Sequence, residues 1–378
     1  MGFHSSLENM GLNPEFWQNR RVFLTGHSGF KGAWMSLWLQ SLGAEVTGYS
    51  LAPPTDPSLH ADAGVAKGMT SLEGDDHDVR DLEALCSALS TSRAEVVIHM
   101  AAQALVRPSY DDPVGTFSTN VMGTVNLLEA VRRVSSVRSV VVVTTDKCYE
   151  NREWEWGYRE NDPMGGHDAY SASKGCAELA VAAYRKSFYS DGKGPSLATA
   201  RAGNVIGGGD WAADRLVPDC VRAWSAGDNV TLRYPNATRP WQHVLDPLHG
   251  YLMLCERLFA EGGSDFAKGW NFGPSGDGSR RVGEVVQLMS EVWGPGADLR
   301  IESEGHPHES RALQLDCSRA RDRLDWVPVW QLENSVVKTT EWYRAYLNCS
   351  ADSAAVRALC ENQISDFMKA LKPVKLAK

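Results

Sequence analysis

The sequence predicts an α/β fold: a doubly wound parallel sheet with a smaller α/β region appended. Three features predict it. Short apolar runs alternate with helix-period segments from residue 20 to residue 207, the pattern of parallel strands joined by helical crossovers. Three glycines, Gly26, Gly29 and Gly32, fall in the first strand-to-helix turn. The run "SVVVVTT" at 139–145 is apolar without alternation, as expected of a parallel strand covered on both faces.

The elements follow in order. "RRVFLTG" (20–26) is a short apolar strand ending in glycine. "FKGAWMSLWLQSLG" (30–43) carries apolar residues at helical spacing and stops at Gly43. "AEVTGYSL" (44–51) and "AEVVIHM" (94–100) are strand-like. "GTFSTNVMGTVNLLEAVRRV" (115–134) is a helix, 139–145 the buried strand, and "DAYSASKGCAELAVAAYRKSF" (168–188) a further helix. "SLATARAGNVIG" (196–207) begins as a strand. After Gly207 the texture changes to short Pro-, Trp- and Arg-rich pieces such as "GGGDWAADRLVPD" and "RYPNATRPWQHVLDP", with helices expected at 244–260 and 281–293.

Composition bounds the function. The chain has 378 residues, 43% of them hydrophobic, and a net charge of −9. That length supports a large core, and the acidic balance disfavours nonspecific binding to nucleic acid or anionic membrane. No run of about 18 apolar residues appears, so no transmembrane helix is expected. The polar first twenty residues show no secretory signal. "MGFHSS" fits an N-myristoylation pattern at Gly2 and Ser6, with an ordinary polar N-terminus as the alternative. The eight cysteines stand singly, without a CxxC pair. They are expected to be the reduced thiols of a cytoplasmic protein, forming neither a zinc site nor a disulfide framework, and no metal is expected. Cys148 is expected to be a buried structural thiol.

"TGHSGFKG" (25–32) is a phosphate loop by position and spacing. The first glycine permits a tight turn, the second lets backbone approach a pyrophosphate, and the third lets helix pack on strand. The helix N-terminus then offers free N–H groups to an anion. The acid expected at the end of the second strand, for an adenosine ribose, is missing: the strand ends "GYSLAPP". No arginine stands there either, so NAD and NADP are not separated locally. Asp78 is expected to end the third strand at the adenine edge, with Val79 beside it; a helix N-cap is the alternative.

"YSASK" places Tyr170 and Lys174 one turn apart on one helix face. A cationic neighbour lowers a phenol from its usual value of about 10, so the pair suits proton abstraction. YxxxK alone is common on helix surfaces. Here it follows a glycine loop and a hydroxyl at a strand end, Thr145. In parallel sheets ligands bind at the C-terminal ends of strands, which brings Thr145, Tyr170 and Lys174 to one edge. Asp146 and Lys147 follow Thr145, and a surface ion pair is their plain alternative.

"TGxxGFxG", "NVxGTxNLLEA" (120–130), Thr145 and YxxxK together resemble the extended short-chain dehydrogenase/reductase family, over residues 15–345. Longer segments, among them "TTDKCYEN", "EWGYRENDPMGGHDAYSASKGCAEL" and "RAGNVIGGGDWAADRLVPD", resemble the branch of that family that dehydrates CDP-glucose. The resemblance implies a Rossmann-type domain over 15–204, to which part of 241–275 returns, and a substrate-binding domain over 205–240 and 276–350, followed by a tail at 351–378. It implies NAD, held by Gly26, Ser28, Gly29, Phe30, Gly32, Asp78, Val79, Ala101, Tyr170 and Lys174. It implies CDP-glucose as substrate, bound by Asn204, Arg239, Asn271, His308, Glu309 and Arg311, and a homodimer through helices 115–134 and 168–188. The implied reaction oxidises C4, eliminates water across C5 and C6, and returns hydride to C6. Tyr170 is then the C4 base, Thr145 its hydroxyl partner and Asp146 the acid for the C6 hydroxyl. Lys147 either takes the C5 proton or steadies the enolate. Ala169 departs from the usual proline before the tyrosine. Trp154 and Trp156 either face the ligand or pack a loop. The rival functions are a 4,6-dehydratase of another nucleotide sugar, a nucleotide-sugar 4-epimerase, which needs neither Asp146 nor Lys147, and a non-catalytic dinucleotide sensor.

Overall fold

The computed structural model describes residues 11–371, apart from 191, 193, 233, 276–277 and 302–312. The myristoylation pattern at Gly2 and Ser6, and His308, Glu309 and Arg311, lie outside the described residues. Among the described residues, no helix is long and apolar enough to cross a membrane.

Thirteen strands are seen among the described residues: β1 Arg21–Thr25, β2 Glu45–Ser50, β3 Thr70–Glu73, β4 Val96–His99, β5 Ser139–Val143, β6 Ser196–Ala202, β7 Val205–Ile206, β8 Val230–Leu232, β9 Thr238–Pro240, β10 Gln242–His243, β11 Gly269–Phe272, β12 Ser279–Arg281 and β13 Leu299–Ile301. Seven form one parallel sheet in the order β11-β6-β5-β4-β1-β2-β3. The chain winds outward from β1 through β2 to β3, then returns to β4 and winds the other way. The reversal opens a crevice at the C-terminal ends of β1 and β4, where such sheets bind ligands. The short pairs β7–β10, β8–β13 and β9–β12 lie outside this sheet.

The valine run of β5 shows why the sheet is buried on both sides. Val140 and Val142 join the core beneath helices Leu82–Ser92 and Gly123–Arg133. Val141 and Val143 join the opposite core, with helices Phe30–Ser41 and Leu245–Phe259. Successive side chains on a strand point to opposite faces, so a strand covered twice must be apolar at every position. The strand stops at Val143, two residues short of the expected end. Thr144 and Thr145 leave the sheet, and Asp146–Cys148 forms a single tight helical turn.

Two other elements differ from expectation. The helix expected over 115–134 is interrupted: Ser118–Met122 forms a π-helical turn between Pro113–Phe117 and Gly123–Arg133. The wider turn aims Asn120 inward. Its amide donates to the Gln103 carbonyl at 3.0 Å and to Ser173 Oγ at 2.9 Å. Asp78 neither ends β3 nor N-caps a helix: β3 stops at Glu73, and the next α-helix is N-capped by Asp81, which accepts from Ala84 N at 3.0 Å. Residues 74–77 form a glycine-led turn between them, a local break that an apolar pattern does not reveal.

The C-terminal segment belongs to the main core. Helix Ser353–Ala370 lays Val356, Cys360, Ile364 and Phe367 against helix Phe30–Ser41, with Phe367 edge-on to Trp38 at 5.5 Å. Burying one such ring contributes about 1.5–3 kcal/mol. The helix that opens at the glycine loop is thereby held from behind.

Candidate active site

Gly26 ends β1 with φ of +75°, and a Cβ there would stand 2.6 Å from Ala101 N. Only glycine allows β1 and the segment after β4 to approach this closely. Thr25 Oγ1 ties the same crossing, accepting from Met100 N at 3.1 Å and Ala101 N at 3.2 Å. At Gly32 a Cβ would lie 2.0 Å from the Gly26 carbonyl oxygen, so the helix packs onto the turn itself. Gly29 differs: a Cβ there would meet nothing within 4 Å except that carbonyl, at 3.5 Å. The space over the helix N-terminus is therefore open, and the first-turn N–H groups border it. This cradle fits the pyrophosphate of a dinucleotide.

The flanks of the cradle are polar but not acidic. Ser28 Oγ donates to the Leu51 carbonyl at 2.9 Å and contacts Ser50 Oγ, which occupies the end of β2. Asp78 is engaged elsewhere: its carboxylate accepts from Arg80 N at 2.9 Å and Arg80 Nε at 2.8 Å. Burial alone would raise that carboxyl, but the Arg80 contacts hold it below its ordinary value. Val79 beside it is buried, and Phe30 is half-buried.

The reactive side chains gather past the end of β5. Thr145 Oγ1 donates to Asp146 Oδ1 at 3.0 Å and accepts from Lys147 N at 3.4 Å. Thr145 also acts on the Tyr170 phenol, favouring its deprotonated form. Asp146 is 2% exposed, and burial raises its carboxyl despite Lys147, Thr145, Lys31 and Arg239 nearby. Gly203, beyond β6, makes room for it: a Cβ there would stand 2.8 Å from Asp146 Oδ2 and 2.8 Å from Pro240 Cγ. The trio therefore rides on a turn rather than a strand, and Asp146 and Lys147 are not sent to opposite faces of a sheet.

Tyr170 and Lys174 lie on helix Ala169–Phe188, capped by Asp168, which accepts from Ser171 N at 2.8 Å. With that cap in place Ala169 opens the helix without proline. Tyr170 N is anchored to Ser109 Oγ at 3.2 Å, and Lys174 Nζ donates to the Val143 carbonyl at 3.4 Å. Burial lowers Lys174 to about 8, against the pull of Glu178. The expected lowering of the phenol by Lys174 is corrected here. Burial pushes Tyr170 up to about 12, and the groups that draw it down are Thr145 and Arg215.

Lys31 and Arg215 are two site residues that sequence reasoning missed. Lys31 lies inside the glycine motif, at the start of the helix. Burial and the charges of Arg215 and Lys174 lower it to about 8. Arg215, in "DRLVPD", pairs with buried Asp210 at 2.7 Å. Both are ordinary surface residues by pattern, and only the fold brings their charge to Tyr170 and Asp146. Arg239, on β9, is buried and donates to the Thr238 carbonyl at 3.0 Å. Asn204 is half-buried after β6, its carbonyl accepting from Gln242 N at 3.2 Å.

Asn271 is a correction. It sits on β11 with no exposed surface, and its amide donates to the carbonyls of Tyr158 at 2.8 Å and Asp316 at 3.1 Å. Its oxygen accepts from Tyr149 OH at 2.7 Å. These contacts hold the 149–158 loop and leave no amide hydrogen for a ligand. Trp154 stacks on Tyr158 at 5.3 Å in that loop, with exposed Trp156 edge-on to it at 6.0 Å. Cys148 is fully buried, which pushes its thiol well up, as an inert structural thiol requires.

Comparison with known proteins points the same way. The family model described as GDP-mannose 4,6 dehydratase matches residues 23–339. A CDP-glucose 4,6-dehydratase of Salmonella typhimurium is 48% identical over 363 residues, 95% of this chain and 99% of that protein. Among solved structures, a dTDP-glucose 4,6-dehydratase from Bacillus anthracis in complex with NAD superposes with a TM-score of 0.70 at 22% identity, covering 86% of this chain and 96% of that one. A UDP-glucose 4-epimerase from Stenotrophomonas maltophila with bound NAD and formylated UDP-arabinopyranose gives 0.74 at 21% identity, covering 87% and 99%. These two share the fold across a dehydratase and an epimerase.

Proposed function

The chain belongs to the GDP-mannose 4,6 dehydratase family, and on that premise we propose that it dehydrates CDP-D-glucose to CDP-4-dehydro-6-deoxy-D-glucose. The observation that carries the reading is the buried Asp146 carboxyl, hydrogen-bonded to Thr145 just past the end of β5. A 4-epimerase has no use for an acid there.

NAD would be held by Gly26, Ser28, Gly29, Phe30, Gly32, Asp78, Val79, Ala101, Tyr170 and Lys174. When bound it supplies the redox couple that oxidises C4 of the sugar and later reduces C6. The chain's own residues move the protons. Tyr170 accepts the C4 hydroxyl proton, and Thr145 holds the same oxygen. The C4 ketone acidifies the C5 proton, which the Lys147 amine takes. Asp146, whose carboxyl burial raises, gives its proton to the departing C6 hydroxyl. When C6 is reduced the proton held by Lys147 returns to C5, and over the cycle Tyr170 gives up one proton and Asp146 regains one, so the protons balance. Asn204 and Arg239 hold the nucleotide diphosphate, for which a planar guanidinium suits.

The Rossmann-type domain spans 15–204 with the 241–275 return, and the substrate domain spans 205–240 and 276–350. The enzyme is cytoplasmic and a homodimer. Helices Pro113–Phe117, Gly123–Arg133 and Ala169–Phe188 form the interface, where Val114, Leu179 and Phe188 are 77%, 60% and 48% exposed in the single chain.

A panel of CDP-, dTDP-, GDP- and UDP-hexoses with NAD, followed by the absorbance of the 4-keto product in base, is expected to single out CDP-glucose. A product that keeps its C6 hydroxyl identifies an epimerase instead. Lys147→Met is expected to leave C4 oxidation measurable while abolishing C5 exchange with deuterated water. Retained exchange moves the C5 base to another group and leaves Lys147 as the charge that steadies the enolate.

A further inference from the structure

Three side chains that no step above uses converge behind the glycine loop. His27 follows Gly26 in the turn and has no exposed surface. His60, on the short helix Leu59–Asp62, is 5% exposed. Glu73, the last residue of β3, has a side chain 42% exposed and opens the cluster to solvent. One nitrogen from each ring and one carboxylate oxygen lie within 4.8 Å of one another. The rings stand edge to face with centroids 5.2 Å apart. His60 Nε2 is 2.9 Å from Glu73 Oε2, and His27 Nε2 is 2.7 Å from Ser71 Oγ. In both rings Nδ1 is buried with no hydrogen-bond partner among the described residues, an unfavourable state for a polar atom. The position of the His27 ring is built in: a Cβ on Gly48 of β2 would stand 2.4 Å from its Cγ.

We propose that His27, His60 and Glu73 form a binding site for one divalent transition-metal ion of the zinc class. Two imidazoles and a carboxylate are the donors zinc takes, at about 2.0–2.2 Å, with a fourth position left for water. Calcium and magnesium prefer all-oxygen shells, so this set selects against them. Ligand atoms around tetrahedral zinc sit about 3.3 Å apart. A bound ion would draw these atoms together from within 4.8 Å, and Glu73, the exposed side chain of the pair with His60, is the freer to move. The cluster contains no cysteine, so cysteine spacing does not reveal it. A metal here bridges the glycine turn, the Leu59–Asp62 helix and the end of β3, three segments that the backbone joins only through long connections. Its predicted consequence is a stiffer glycine turn.

The test uses the full-length chain, stripped with a chelator and titrated with Co2+ and then Zn2+. One equivalent of Co2+ is expected to give the visible ligand-field bands of a four- or five-coordinate ion, displaced by Zn2+, and one equivalent of Zn2+ should raise the melting temperature. His60→Phe and Glu73→Gln should each weaken cobalt binding by at least about 100-fold, since loss of a mere outer-shell partner already costs about 10–100-fold. His167→Ala, at an exposed histidine elsewhere, should leave it unchanged. Circular dichroism checks that each variant folds, and Glu73→Gln, at an exposed position, keeps the test decisive if His60→Phe does not. The proposal is overturned if one equivalent produces neither bands nor stabilisation, or if Glu73→Gln binds cobalt as tightly as the unaltered chain.

Discussion

Tyr170→Phe is expected to lower the turnover of CDP-glucose by about 10²–10⁴-fold, the usual contribution of a positioned general base, while the chain remains folded. The substitution removes one oxygen. The ring stays packed, so the folded state should lose no more than about 1 kcal/mol, the worth of one hydrogen bond. The proposed substrate contacts at Arg239 and Asn204 are untouched, so KM should move far less than kcat. Formation of 4-keto product checks the rate, and thermal unfolding checks the fold. A fall of less than tenfold would remove Tyr170 from the base's role and pass it to another group. Burial holds the phenol up at about 12 in the chain by itself. Positive charge brought to it by bound ligands is then part of what makes the base effective, since an added cation favours the phenolate.

Glu178→Gln is expected to cost about 3–5 kcal/mol of stability, the penalty for leaving a buried charge without its partner. Glu178 and Arg201 are 5% and 4% exposed and meet through two contacts, Arg201 Nε to Oε1 at 2.9 Å and Arg201 Nη2 to Oε2 at 2.8 Å. Thr144 Oγ1 and Thr199 Oγ1 donate to the same carboxylate at 2.5 and 2.6 Å. Glutamine replaces one acceptor oxygen with an NH2 group, so it faces donors with a donor. The midpoint of denaturant unfolding reads the loss. The double variant Glu178→Leu with Arg201→Met should recover most of it, because an apolar pair carries no desolvation penalty. A double variant as unstable as the single one would place the cause in packing rather than charge. The sign with pH follows from the carboxyl. Burial would raise it, but Arg201 and the two threonines hold it below its ordinary value. Its stabilisation is therefore full above the unfolded value of about 4.3 and is lost as pH falls through the lower folded value. Thr144 precedes Thr145, so the pair also steadies the turn that carries Asp146.

The elements legible from sequence were those with a local cause. The glycine triplet declares itself because a turn needs left-handed backbone at Gly26 and close approach at Gly32, whatever surrounds it. Tyr170 and Lys174 share a face because helix geometry puts residues four apart together. The valines of β5 announce a strand covered twice. By contrast, Asp78 was misplaced because a glycine-led turn at residues 74–77 ends β3 early. Asn271 was assigned to the substrate because an asparagine near a sheet edge carries no mark of its partners. Its three partners come from segments distant in the chain. Lys31, Arg215 and the His27–His60–Glu73 cluster escaped notice for the same reason.

The amino-acid sequence by itself determined the fold class, the central strands of the sheet, its glycine turn, the helix that carries Tyr170 and Lys174, and the identity of the residues past β5. Each of these follows from spacing along one segment, where backbone geometry converts sequence distance into position. Only the tertiary structure decided which charges surround Tyr170 and Asp146, that the reactive trio rides on a turn, and that Asn271 faces inward. Those outcomes depend on which distant segments meet and on how much water the meeting excludes. Burial sets the proton affinities of the site, and burial is a property of the folded whole.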